Sequence, residues 1–212
     1  MADYVTLTEP YVEPRQQRNA DFMGMYIFLA TETMLFGALL GLVFAYRLAH
    51  PQASAEASKH LKIWIATANT AILLSSSLFV AIAVAAARVG KRKAVVALLG
   101  VAILLGLAFL GLKGIEYLED FHEGLAPGIG TPSPIRYGPA ALFIDLYFVA
   151  TSLHALHLTI GLGLMTWAAA RVHIRSVALP SQAVVLEMTG LYWHFVDIVW
   201  VFVFPIFYLA RG

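Results

Sequence analysis

Apolar residues run along this chain in five long blocks, approximately Phe22–Tyr46, Ile63–Ala87, Ala94–Tyr117, Ala140–Ala170 and Ala183–Leu209. A bilayer core of roughly 30 Å needs about 20 residues of helix at 1.5 Å each, so every block predicts a transmembrane helix. The stretches between them are polar: HPQASAEASKH, RVGKRKA, EDFHEGLAPGIGTPSPIRYGP and RVHIRSVALPSQ. Proline and glycine fill the third, which predicts an irregular surface loop and no further element. The expected fold is all-α. A polar N-terminal arm occupies residues 1–21, and a single domain of five membrane-spanning helices occupies residues 22–212. The pattern shows neither an internal repeat nor a soluble second domain.

Composition sharpens this picture. With 60% hydrophobic and 13% charged positions, the chain is more apolar than water-soluble domains, where apolar usage is nearer half. The net charge of +1 conceals an uneven distribution along the sequence. Arg15, Arg18, Arg88, Lys91, Arg92, Lys93, Arg171 and Arg175 fall on one side of the expected membrane, against Arg47, Lys59, Lys62, Arg136 and Arg211 on the other. The richer side is expected to be cytoplasmic, which places the N-terminus inside and the C-terminus outside. The RVGKRK cluster then reads as a topology anchor touching anionic headgroups. Charges gathered mostly in short connections between apolar runs exclude a nucleic-acid-binding surface. The absence of cysteine excludes thiolate metal sites, disulfides and thiol catalysis. The acidic, proline-bearing N-terminus lacks the basic start of a signal peptide and is expected to stay on the mature protein.

Ionisable residues inside the apolar blocks carry the candidate chemistry, because a charge at a bilayer centre costs about 2.5–3.5 kcal/mol on insertion scales. Glu32 lies mid-span in the first block. His154 and His157 in ATSLHALHL, and His194 and Asp197 in YWHFVD, are pairs three residues apart, so each shares one helix face. These five residues are expected to form an inner polar layer near the membrane midplane. Asn69, Lys113, Glu116 and Asp145 are expected to form an outer one. Glu187 falls two turns before His194 on a similar face. Three roles are open to the inner layer: a polar latch between helices, a proton relay, or a metal or haem site using the HxxH nitrogens. Asn69 and Ser76, Gly161 and Gly163, and the tryptophans Trp193 and Trp200 read as helix-packing surface.

Taken together, ATETMLFG, ANTAILLSSS, LKGIEYLED, YFVATSLHALHLTIGL and LYWHFVDIVWVFVFPIFYL resemble, in order, the helices of subunit III of the haem-copper oxidases. The last two motifs are the specific ones, and the similarity covers nearly all of the chain after about residue 20. The resemblance implies a non-catalytic accessory subunit of a cytochrome-c-oxidase-type terminal oxidase, a complex that reduces oxygen to water and pumps protons. Haem and copper would sit in partner chains, above all in catalytic subunit I, with none in this chain. A bound phospholipid and a bacterial inner membrane are implied as well. Glu32 matches the family's buried carboxylate, His154 and His157 its paired histidines, and Glu116, His194 and Asp197 its other buried polar positions. Many members have seven helices, and the five here resemble shorter bacterial forms. Lys113 stands where many relatives carry glutamine. The alternatives are an accessory subunit of a nitric oxide reductase and an independent proton-coupled transporter; the paired half-helices or internal symmetry expected of the latter do not show in the sequence.

Overall fold

The computed structural model describes residues 13–125, 135 and 138–209. Six helices are formed among them: α1 (Pro14–Ala49), α2 (Pro51–His60), α3 (Ile63–Arg88), α4 (Arg92–His122), α5 (Ala140–His173) and α6 (Val184–Tyr208). All except α2 are long and apolar enough to cross a membrane. The five expected spans are therefore present, with ends that move by a few residues.

Two local expectations are corrected. Helix α1 starts at Pro14, so residues 14–21 are its first turns and not part of an arm; residues 1–12 lie outside the described residues. Proline suits a first helical position because the N–H that it lacks would have no partner there. Nothing between it and Phe22 breaks the helix. The first polar connection is likewise helical over Pro51–His60, again opened by a proline. Its small face buries Ser54, Ala57 and Ser58, and Ser58 Oγ donates to the carbonyl of Phe207 in the last turn of α6. Carbonyls of a final turn have no partner within their own helix, so a hydroxyl from outside satisfies one. Most of the third connection, residues 126–134, lies outside the described residues, as do the side chains of Arg136 and Arg211.

Helices α3, α4, α5 and α6 pack around a shared core, and α1 lies against α5 and α6 at its edge. Leu73, Val80, Leu99, Phe109, Tyr147, Leu158, Trp193 and Trp200 are fully or almost fully buried there. From α1, only Phe36 and Val43 are buried to that degree. One end of the bundle gathers the start of α1, the α3–α4 turn and the α5–α6 connection, with their eight arginines and lysines. This end is called the basic face below.

Two glycines permit the closest approach. A Cβ on Gly161 would lie 2.9 Å from Trp193 Cε3, and one on Gly106 would lie 2.7 Å from Leu162 Cδ2 and 2.9 Å from Trp193 Cη2. The indole of α6 thus fills a slot cut by the missing side chains of α4 and α5. Gly163, grouped with Gly161 in the sequence reading, would meet nothing within 4 Å. Gly161→Ala is therefore expected to destabilise the bundle by about 1–3 kcal/mol through overpacking. Gly163→Ala should be neutral or slightly stabilising, since alanine is the better helix former. Thermal unfolding of the two variants in the same detergent checks this.

Candidate functional site: polar pairs inside the helix bundle

The five residues expected to share an inner layer fall into three separate units, not one cluster. The first joins α1 to α5: His157 Nε2 lies 3.0 Å from Glu32 Oε2, and His157 Nδ1 lies 2.8 Å from the carbonyl oxygen of Leu153. A carbonyl only accepts, so Nδ1 carries a proton and donates it. The remaining nitrogen and the carboxyl oxygen are at hydrogen-bond distance and must share one further proton. The pair is then either imidazole with carboxylic acid or imidazolium with carboxylate, and it is neutral overall in both forms. That neutrality is what lets the two groups lie next to lipid. Phe36 packs edge-on against the imidazole, with ring centroids 5.1 Å apart. The pair opens onto an apolar groove of about 520 Å³ between α1, α5 and α6, whose walls include Phe28, Ile160, Leu164 and Tyr192.

The second unit joins α3 to α6. His194 Nδ1 lies 2.6 Å from Ser77 Oγ, and Asp197 lies beside the same serine. The HxxD pair therefore faces α3 and meets neither Glu32 nor the HxxH pair. The sequence reading noted Ser76, but Ser76 Oγ donates to the carbonyl of Ala102 on α4. One residue along a helix is a rotation of about 100°, which sends Ser76 and Ser77 to different neighbours.

The third unit is His154. It is 1% exposed, lies between Phe109 and Trp200 with ring centroids 5.8 Å and 5.0 Å away, and has no hydrogen-bond partner at either nitrogen. Residues three apart on α5 thus differ completely in surroundings. His157 has a carboxyl partner, whereas the aromatic cage of His154 offers its ring no polar partner.

The expected outer layer contains the most complete network. Lys113 Nζ donates to Glu116 Oε2 at 3.0 Å, Tyr147 Oη at 2.8 Å and Tyr208 Oη at 2.6 Å, which uses all three ammonium protons. Both tyrosine hydroxyls in turn donate hydrogen bonds to Glu116 Oε1, at 3.0 Å from Tyr147 and 2.6 Å from Tyr208. One cation and one anion, each saturated, tie α4 to α5 and α6 in a fully buried site. Asn69 is buried with neither amide atom hydrogen-bonded, and Asp145 is half-buried on α5; neither is among the network's hydrogen-bond partners.

The ends of the helices carry two more ion-pair sets. At the basic face Glu187 of α6, only 5% exposed, receives Arg18 of α1 at 3.0 Å and Arg88 of α3 at 2.7 Å. It therefore belongs to this clamp and not with His194. At the opposite face Lys62 pairs with Glu119, and that hydrogen bond raises the Lys62 amine above its usual range. The lysine stays charged through neutral pH, and its charge is lost only as pH climbs past the raised value. The partners that sequence reasoning missed are Ser77, Tyr147, Tyr208, Arg18 and Arg88. Only the two arginines had a signal, their position at the same membrane side as the start of α6.

Among the described residues, no three side chains of His, Asp or Glu converge in a way that would hold a metal ion. Polar groups in pairs, spread over several helix contacts of an apolar bundle, define a polytopic membrane protein whose ionisable residues join its helices. The chain belongs to the family described as cytochrome c oxidase subunit III, whose model matches residues 18–211. Similar proteins include the cytochrome bo(3) ubiquinol oxidase subunit 3 of Pseudomonas aeruginosa, 30% identical over 186 residues, covering 88% of this chain and 83% of that one. The cytochrome c oxidase subunit 3 of Alkalihalophilus pseudofirmus is 30% identical over 193 residues, covering 89% and 85%. The quinol oxidase subunit 3 of Bacillus subtilis is 30% identical over 190 residues, covering 89% and 86%.

The geometry of the first unit makes a graded prediction. Glu32→Gln keeps a neutral amide donor facing His157 Nε2 and should cost about 0.5–1.5 kcal/mol. His157→Ala leaves the half-buried carboxyl without a partner and should cost about 1–3 kcal/mol. The difference in unfolding free energy between the two variants measures the pairing; equal costs would show that the contact carries none of it.

Proposed function

We propose that this chain is the non-catalytic accessory subunit III of a respiratory terminal oxidase in a bacterial inner membrane. In that complex, a partner subunit I holds the haems and copper, reduces oxygen to water and pumps protons. The observation that carries the reading is the family match across residues 18–211. The relatives named above support the oxidase assignment, and their names include both cytochrome c and quinol types. In this reading the donor, cytochrome c or quinol, is chosen by other subunits. The basic face is cytoplasmic by its excess of lysine and arginine.

The interior supports a stabilising role. Its strongest polar groups are spent on each other, and each pair fixes the position of one helix against another. The Glu32–His157 pair is the one that opens toward lipid, beside the apolar groove. At the basic face that groove adjoins a basin of about 620 Å³ lined by Arg15, Arg18, Arg88 and Arg171. Trp167 borders both. A phospholipid with its phosphate among the arginines and an acyl chain along Phe28, Ile160 and Leu164 would complete the flank of α1. Bound lipid there would hold the subunit's edge in the same way that the pairs hold its centre, and would keep the proton-uptake side of subunit I in order over many turnovers.

Gentle detergent purification followed by a visible spectrum and metal analysis tests the assignment. Co-purification with a haem- and copper-containing catalytic subunit is expected; non-haem iron with no copper would contradict it and indicate a nitric oxide reductase. Within the assembled complex, His157→Ala should shorten working lifetime or loosen this subunit while initial oxygen consumption stays near normal. Immediate loss of turnover with the subunit still bound would instead make the pair a direct relay.

A further inference from the structure

The flank of the bundle between α4 and α5 holds a second concavity at the basic face, about 410 Å³ in volume and separate from the groove beside α1. Its polar lining consists of Arg92, Lys93, His173 and Arg175, with no acidic residue. No ion pair among the described residues involves Arg92, Lys93 or Arg175, unlike Arg18 and Arg88, which share Glu187. Arg92 Nη1 is shut off from solvent and has no hydrogen-bond partner. A guanidinium N–H denied both water and an acceptor is unfavourable, and Arg92 lines the concavity with the rest of its side chain. The concavity also lies at the start of α4, where the helix dipole adds positive potential.

Arg175 supplies a further observation. It takes φ 59, the left-handed conformation, directly after α5, and the turn is closed by Arg175 N–H donating to Val172 O at 3.2 Å and Ser176 N–H to Arg171 O at 3.0 Å. Glycine is the usual residue at such a helix end. An arginine held there despite the conformational cost lines the concavity with its charge.

The wall of the concavity is apolar. Val96 and Ala97 of α4 face Val172 of α5. From Ala97 the same face of α4 continues through Gly100, Val101 and Leu104. A Cβ on Gly100 would meet nothing within 4 Å, and Val101 and Leu104 are 39% and 67% exposed, so an open apolar stripe leads from the cations toward mid-span.

We propose that this concavity binds the phosphate group of an anionic phospholipid. Arg92, Lys93 and Arg175 are its charge partners, and the stripe from Ala97 to Leu104 lies along an acyl chain. Arginine forks match phosphate oxygens in pairs, which distinguishes such a site from loose attraction of headgroups to a basic surface. Free inorganic phosphate shares the headgroup chemistry; the apolar wall favours the lipid.

The test uses the membrane complex as it is extracted, whatever its other subunits prove to be. After delipidation, native mass spectrometry counts lipid retained on titration with phosphatidylglycerol or phosphatidylcholine, with inorganic phosphate as competitor. Wild type is compared with Arg92→Gln, Arg175→Gly and the double variant, and with Lys59→Gln at the opposite face as control. Arg175→Gly relieves the left-handed strain, so it removes the ligand without weakening the turn, and subunit retention in the same spectra confirms assembly. The expected result is a site for one phosphatidylglycerol that weakens about tenfold in each single arginine variant and is lost in the double, while Lys59→Gln matches wild type. Equal phosphatidylglycerol retention in wild type and double variant overturns the site. Equal retention of phosphatidylcholine overturns its anion selectivity. Arginine-dependent binding of inorganic phosphate without a retained lipid overturns the lipid assignment.

Discussion

The ammonium of Lys113 has three protons, and three oxygens receive them, from Glu116, Tyr147 and Tyr208. In an apolar bundle such saturation is the condition for keeping a charge at all. An unpaired lysine or glutamate at that depth would have to neutralise or draw in water. Because the acceptors come from α4 itself, α5 and α6, meeting the condition sets where those helices stand. The interaction is costly to assemble and more costly to break, since the loss of either ion leaves the other buried alone. Lys113 converts Glu116 from a lone buried carboxyl into one half of a neutral unit.

The same rule repeats at lower strength elsewhere. Glu32 and His157 share a proton between α1 and α5, Ser77 meets His194 between α3 and α6, and Glu187 collects two arginines at the basic face. Helix α1 depends on these bonds most. Its buried apolar contribution is little more than Phe36 and Val43, so Glu32 and Arg18 do much of the work of attaching it. His154, Asn69 and Asp120 depart from it: each is buried and its side-chain polar atoms have no hydrogen-bond partner among the described residues.

The five spans were legible because a bilayer demands a length of apolar helix that few other structures need. The short α2 was not, because proline and polar residues read as a break, whereas a proline at a first helical position starts a helix. Matching depth correctly suggested Glu32 for the HxxH motif. It could not choose between His154 and His157, since three residues of offset place both on one broad face. Depth also misassigned His194 and Asp197, because a shared level does not fix which neighbour a helix face meets. Tyr147 and Tyr208 were invisible as ion-pair partners. A tyrosine in an apolar block serves equally well as packing, and only the fold shows where its hydroxyl ends.

A double-mutant cycle on Lys113 and Glu116, read by thermal unfolding of the chain in its membrane complex, tests most directly whether buried charge pairing holds the bundle. Lys113→Met and Glu116→Leu should each cost about 3–5 kcal/mol, and the double variant should cost less than either, because it leaves no buried ion unpaired. Costs that add to within about 0.5 kcal/mol would contradict the account, since independent sites behave in that way.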